Sequence, residues 1–376
     1  MCLFDSVVEM CKKWNTRRPT VLTSVLFFIL LSFVPSTVKL YPASNAAFVQ
    51  KEREGLTDAE RDAFALEETN RTLVLFSYFE PRGDTSSGES NTDKLTAKRN
   101  LEFFVKHGVL GPYAPSSTEA TFVFIINGGH LSIKLPEELS HVHLFRRENS
   151  GLDLCGYSQA LERYKEDSHH FFVFLNSSVR GPYLPNYVPL SLSWNHLFEN
   201  LISESVKLVG VSVNCLCCQT KQEWCKSCSE KDGLDQVHLQ SFVFVTDNTG
   251  LQVIRPALGC YNSRQEVIVH GEIGLSRQIR LAGHNLASLD KFWYHHDFQN
   301  VSRTRQMCES VARMAAPFQG DTQFEGAYFG MDHHPAESIF IKINRGETRM
   351  HKLYTRWSDE SEERTECKAD KDEDQC

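Results

Sequence analysis

Short apolar runs alternate with stretches of helical period along most of the chain. Six runs have the length and the β-branched and aromatic content of buried strands: 72–79 (TLVLFSYF), 121–127, 141–145, 170–176, 206–213 and 239–246. Between and after them, residues 92–107, 156–166, 194–204, 264–283 and 302–315 carry apolar residues at helical spacing. This order predicts an α/β fold, a mostly parallel sheet with helices on both faces. Ligands of such sheets bind in the crevice beyond the C-terminal strand ends. The polar residues that close the runs are therefore the first site candidates: Asn127, Asn176, Asn214 and Asp247.

One apolar run does not fit that alternation. Residues 19–38 (PTVLTSVLFFILLSFVPSTV) are twenty residues without a charge, enough to cross a hydrocarbon layer of roughly 30 Å as one helix. Lys12, Lys13, Arg17 and Arg18 precede the run and only Lys39 directly follows it. The positive-inside rule then keeps residues 1–18 cytosolic and places the remainder in a lumen, as a single-pass type II signal anchor. A cleaved signal peptide is the plain alternative. Residues 39–69 read as a stem, with Thr57 and Glu60 spaced as a capping box. Residues 70–345 read as the lumenal domain, and 346–376 as an unstructured acidic tail.

Composition changes this picture little. The chain of 376 residues is 41% hydrophobic and 23% charged, with a net charge of −8. Most of that charge falls in Asp359–Asp374, where nine acids face three bases, so no basic footprint for nucleic acid exists. Ten of the twelve cysteines follow the apolar run, in a compartment where disulfides persist. Cys215, Cys217, Cys218, Cys225 and Cys228 crowd into fourteen residues of an inserted loop, 214–236. Local disulfides are expected there. A zinc site is the alternative, and with it a redox or zinc protein.

Candidate chemistry gathers in the loops. Residues 146–157 (RRENSGLDLCGY) join a strand to a helix and offer Arg147, Asn149, Gly151 and Asp153. Arginine presents a fork of donors to phosphate, and carboxylates accept from hydroxyls. A solvated turn capped by Asp153 is the plain alternative. In residues 176–182, Asn176, Ser178, Arg180 and Gly181 either close a buried strand at the crevice or form part of an N-glycosylation sequon. His238, Gln240 and Ser241 open the last strand run. Glu272 precedes an amphipathic stretch and is a candidate general base, or a residue complementing the helix dipole. Asn70 and Asn300 head further sequons and are the expected glycan acceptors.

Taken together, "FVFIINGG", "RRENSGLDLCGYSQAL", "FFVFLNSSVRGPYLP", "VKLVGVSVNC", "HLQSFVFVTDNTGL" and "EIGLSRQIRLAGHNL" resemble, in that order, the rhamnan-synthesis F group of glycosyltransferases and its uncharacterised eukaryotic relatives. "MDHHPAESIFIKINRG" resembles the C-terminal end of the eukaryotic branch. The resemblance implies a glycosyltransferase fold of the A type, a nucleotide-sugar donor, a glycan acceptor, and a Golgi or endoplasmic reticulum address. It implies donor contacts at Asn149, Gly151, Asp153, Asn176, Ser178, Arg180 and Gly181, which join Asn127 and Arg147 from the strand-end and loop reading above, and acceptor contacts at His238, Gln240 and Ser241. Glu272 and Asp247 become the catalytic candidates. Asn176-Ser177-Ser178 offers no carboxylate at the strand end where metal-dependent transferases carry acids, so a divalent cation, Mn or Mg, would rest on Asp153 or Asp247, or Arg180 would take its place. Asp-x-Asp occurs only in the acidic tail, at Asp370-Lys371-Asp372 and Asp372-Glu373-Asp374. That departure keeps a second reading in view, a non-catalytic lumenal glycan-binding protein on the same fold.

Overall fold

The computed structural model describes residues 71–80, 91–164, 168–215, 237–315, 321, 326, 328, 330–343 and 347–370, all within the compact unit Ala63–Cys376. A first unit, Met1–Asp62, lies outside the described residues, and so do segment 19–38 and Asn70. Among the described residues no helix is long and apolar enough to cross a membrane.

The elements follow one another as β1 (Thr72–Phe79), α1 (Asn91–Phe103) running into a π-helical stretch (Phe104–Val109), β2 (Ala120–Asn127), β3 (Val142–Arg147), α2 (Leu152–Arg163), β4 (Phe171–Asn176), β5 (Val179–Arg180), α3 (His196–Glu199) and β6 (Val206–Gly210). Then come β7 (Val213–Asn214), β8 (His238–Leu239), β9 (Val243–Asp247), α4 (Asn248–Ile254), α5 (Arg264–Glu266), a second π-helical stretch (Val267–Glu272), α6 (Ile273–Leu281) and β10 (Asn285–Ser288). The chain ends with α7 (Val301–Ala315), α8 (Pro335–Ser338), β11 (Ile341–Lys342) and α9 (Arg349–Asp370).

Seven strands form a mixed sheet in the order β10-β6-β9-β4-β1-β2-β3, an arrangement compatible with a Rossmann-like fold. Strand pairs β1–β2, β2–β3, β1–β4 and β6–β10 are parallel. β9 alone runs antiparallel, between β4 and β6. The expected mostly parallel α/β sheet is thus present. The run at 239–246 is interrupted at Gln240–Phe242, which separates β8 from β9.

Strand alternation divides the core in two. Leu73, Leu75, Val123, Ile125, Phe172 and Phe174 face α2, α4 and α6 through Leu154, Tyr157, Leu251, Ile254 and Ile279. Their neighbours Val74, Phe76, Phe122, Phe124 and Val173 face the opposite way, onto Leu101, Phe104, Trp194 and Phe198. Each such side chain, fully buried, contributes roughly 1.5–3 kcal/mol. Both faces are covered, which is why the parallel strands read as continuous apolar runs.

The C-terminal segment departs from the expected unstructured tail. Residues 349–370 are helical. Tyr354 packs on a small core of Phe103, Tyr183, Ile341 and Ile343, and Thr355 hydrogen-bonds to Arg180 and Tyr183. Charge density hid this anchoring, because only one face of the helix needs to be apolar.

Candidate functional site

The sheet order reverses beside β1: the chain moves outward to β2 and β3 on one side, then returns to β4 on the other. A crevice at such a switch point is the expected ligand position of an open α/β sheet. Asn176 closes β4 there. Its amide nitrogen donates to Asp153 Oδ2 at 2.7 Å, and its Oδ1 accepts from the backbone N–H and hydroxyl of Ser178. Ser177 N–H donates to Ser77 O at 3.0 Å, tying the ends of β4 and β1 together.

Asp153 stands in the first turn of α2, after Gly151 in the left-handed region at φ 68°. A Cβ at Gly151 would lie 2.8 Å from Cys155 Cβ. Burial pushes the Asp153 carboxyl up; the Asn176 amide opposes the rise and the charge of Glu272 adds to it.

Glu272 reaches this position through a close backbone approach. It ends the second π-helical stretch, whose Gly271 leaves no room for a side chain: an added Cβ would sit 2.3 Å from Leu154 Cδ1 of α2. Cys155 of α2 and Cys260, ahead of α5, form a disulfide pair that joins the same two regions. Glu272 Oε1 accepts from Ser241 N–H at 3.0 Å. Gln240 continues the row. It accepts from Ser212 Oγ at 2.9 Å and donates to Asp321 Oδ1 at 2.8 Å. Asp153, Asn176, Glu272, Gln240 and Ser241 therefore line one edge of the sheet.

At the β10 end of that edge lies a group absent from the expectations. Asp290 is 3% exposed. Its Oδ1 accepts from Phe292 N–H at 2.9 Å and from the Tyr328 hydroxyl at 2.7 Å. Tyr328 also approaches Glu337 Oε1 at 2.9 Å, and His333 Nε2 lies 3.7 Å from Asp290 Oδ2. A tight turn, closed by mutual backbone hydrogen bonds of Tyr328 and Met331, carries Tyr328 to Asp290. Burial raises the Asp290 carboxyl to about 7 against the hydrogen bonds from Tyr328 and Phe292, with Glu337 adding to the rise. Burial depresses His333 to about 4. A carboxyl that itself holds a proton near neutrality gives that imidazole no full anion to pair with. A short, half-polar strand, "NLAS", precedes Asp290 and carries too little apolar signal to stand out.

Glu80, following β1, is a second unexpected carboxylate. Burial would raise it, but hydrogen bonds from Ser132 and Tyr78 and the nearby His130 hold it below the ordinary carboxylate range. Its Oε2 accepts from Tyr78 Oη and Ser132 N–H, both at 2.9 Å.

Several expected site residues stand elsewhere or are committed to the frame. Asp247 lies at the opposite end of the sheet, because antiparallel β9 pairs it with Phe171 at the start of β4. There it caps α4 through Gly250 N–H and pairs with Lys207 Nζ at 2.5 Å. It is not a catalytic partner of Glu272. Arg180 is 1% exposed and turned under α1 and α9, donating to Asn100 and Thr355 and paired with Glu347. It is not placed to meet a donor phosphate. Gly181 meets Ile339, whose carbonyl oxygen an added Cβ would approach to 2.4 Å; its role is packing.

Asn127 and Arg147 do lie at strand ends but bind each other. Asn127 also donates to Ser77 Oγ and Tyr78 O, and Arg147 to Gln159 Oε1 and the Ser150 carbonyl. Asn149 is exposed at that edge, its Cβ 3.6 Å from where a Gly128 Cβ would stand. His238 is buried in β8. Asn300 is exposed, and its Oδ1 accepts from Ser302 Oγ and Arg303 N–H at the start of α7. Cys215 pairs with Cys308, 93 residues away, rather than locally; Cys217, Cys218, Cys225 and Cys228 lie outside the described residues.

Among the described residues no group of three or more His, Cys, Asp or Glu is arranged to hold a metal ion. A cavity of about 810 Å³, lined by Tyr113, Ile133, Pro182, Leu184 and Leu190 among others, shares none of its lining with the Asp153–Asp290 row. The chain matches no family model and no curated protein.

Proposed function

We propose that the chain is a glycosyltransferase related to the rhamnan-synthesis F group, on an A-type frame, moving a sugar from a nucleotide-sugar donor to a glycan hydroxyl. The observation that carries this reading is the gathering of Asp153, Asn176 and Glu272 at the β1/β4 switch point, the first two being residues that the resemblance assigns to the donor and the third its candidate base. The mixed sheet is compatible with that frame. In this reading residues 19–38 anchor the chain as a type II protein of the Golgi or endoplasmic reticulum, and 39–69 form the stem.

The chemistry follows from the residue types. Carboxylates at the crevice accept from ribose or sugar hydroxyls, and the Asn176 amide holds Asp153 in place for that contact. A Mn or Mg ion, where used, would be held by Asp153 and Glu272. Magnesium sites commonly take one or two carboxylates and complete themselves with substrate phosphates, so two protein ligands fit that habit. The ion would supply charge stabilisation for the departing diphosphate. Gln240 and Ser241, next along the edge, face the acceptor side.

The test is release of nucleoside diphosphate by the full-length protein from UDP-, GDP- and dTDP-sugars, with and without Mn²⁺. Turnover of one donor supports the reading. Donor binding without turnover favours the non-catalytic alternative, and neither binding nor turnover removes the reading.

A further inference from the structure

We propose that Asp290 is the residue that removes the acceptor hydroxyl's proton, with Tyr328 and Glu337 as its positioning partners. The inference rests on the transferase reading above. It moves the base from Glu272 to a residue that neither sequence pattern nor resemblance had singled out.

Place is the first argument. Asp290 follows β10, which runs parallel to β6, so it emerges at the same edge as the polar row. Ser212 Oγ donates to Gln240, Ser288 Oγ donates to Val211 O at 2.8 Å, and Asp290 N–H donates to Ser288 Oγ at 3.2 Å; these bonds carry the row from Gln240 to Asp290. Three inter-strand spacings separate β4 from β10, roughly 14 Å. A donor seated over β1 and β4 extends its sugar toward β9, and an acceptor enters from the β6–β10 side.

Proton count is the second argument. Tyr328 has one hydroxyl hydrogen and two carboxyl oxygens within reach, Asp290 Oδ1 and Glu337 Oε1. Those oxygens are already acceptors, from Phe292 N–H and Lys291 N–H. One phenol hydrogen cannot bridge both contacts, so the cluster is complete only when a carboxyl carries a second proton. It is built to take one. The groups facing Asp290 are Tyr328, His333 and Glu337; burial raises its carboxyl to about 7 against the hydrogen bonds from Tyr328 and Phe292, with Glu337 adding to the rise, the range that suits a general base.

The contrast with Glu272 is the third. Glu272 is held by Ser241 N–H and stands beside Asp153 at the donor end, where a carboxylate serves hydroxyls or a cation.

The step balances without a further reactant. The acceptor O–H bond breaks and its proton goes to Asp290 Oδ2. The acceptor oxygen bonds to the sugar's anomeric carbon, the bond from that carbon to the phosphate oxygen breaks, and the electron pair leaves with the nucleoside diphosphate. The proton then passes to solvent.

The test uses full-length protein, the UDP-, GDP- and dTDP-sugar panel, and water as the probe acceptor. Donor binding is read by thermal shift and diphosphate release across pH 5–9. Asp290→Asn is expected to keep the wild-type donor shift while release falls by at least about 100-fold. Tyr328→Phe removes a hydrogen bond that steadies the ionised carboxylate, so the acidic limb of the rate profile moves to higher pH. A purely structural role would leave that limb in place. Should Asp290→Asn fail to fold, the limb in Tyr328→Phe decides alone. Wild-type rates in Asp290→Asn, or an unmoved limb in Tyr328→Phe, overturn the inference and leave the transferase reading standing. Absence of any donor turnover by the wild type overturns both.

Discussion

Gly271 and Leu154 meet so closely that a Cβ on the glycine would lie 2.3 Å from Leu154 Cδ1. That contact lets the second π-helical stretch press on α2 and sets Glu272 beside Asp153. Gly271→Ala is therefore expected to cost about 1–3 kcal/mol by overpacking. Leu154→Ala alone is expected to cost about 2–5 kcal/mol as a cavity. In urea unfolding the double variant should lose less than the sum of the two, because the cavity receives the new methyl. Strict additivity would mean that the two residues do not press on each other.

The Cys155–Cys260 pair spans 105 residues of sequence and joins α2 to the segment leading into Glu272. Replacing both cysteines by serine is expected to lower stability by about 2–5 kcal/mol. Non-reducing peptide mapping should recover the Cys155–Cys260 and Cys215–Cys308 peptides. Pairing of Cys215 within the 217–228 cluster would contradict the structure.

Asp290 and His333 give opposite pH dependences. The Asp290 carboxyl is raised from 3.8 to about 7, so its contribution to stability is fully present below 3.8 and is lost as pH rises through about 7. His333 is depressed from 6.5 to about 4, so its contribution is present above 6.5 and is lost as pH falls through about 4. The difference between wild-type and Asp290→Asn stability isolates the first. It should fall with rising pH between about 4 and 7, by up to about 1.4 kcal/mol per unit. A flat difference curve from chemical denaturation would show that Asp290 titrates in the ordinary carboxylate range.

Much of the sheet was legible because its strands are buried on both faces and read as continuous apolar runs between helical patterns. The site was legible only in part. Strand direction decided the fate of Asp247: in a parallel sheet it would stand beside Asn176, but β9 runs the other way and carries it to the far end. Arg180 looked free for phosphate because its partner, Glu347, lies 167 residues on, in a segment whose charges suggested disorder. Asp290, Tyr328 and Glu337 are spread over 48 residues, and nothing in their local pattern announces that they meet. Pairwise contact between distant polar residues leaves no periodic trace in a single sequence.

Arg180 and Glu347 form a buried ion pair that fastens the C-terminal segment to β5. Burial would raise the Glu347 carboxyl, but Arg180 and Arg99 hold it below the ordinary range. Glu347→Gln leaves the guanidinium with an uncompensated charge, at an expected cost of about 3–5 kcal/mol. Hydrogen exchange in 349–360 should quicken in the same variant. Unchanged stability would mean that the other contacts of α9, those of Tyr354, Thr355 and Asp359, suffice to hold it.

The most direct test of the central claim is calorimetric titration of the nucleotide-sugar panel into full-length wild-type protein and Asp153→Ala. The account predicts that one donor binds the wild type, and that Asp153→Ala keeps its fold by circular dichroism while affinity for that donor falls at least about 10-fold, the equivalent of 1.4 kcal/mol. Equal affinity in the two proteins, or no donor bound by either, would contradict a nucleotide-sugar site at the end of β4.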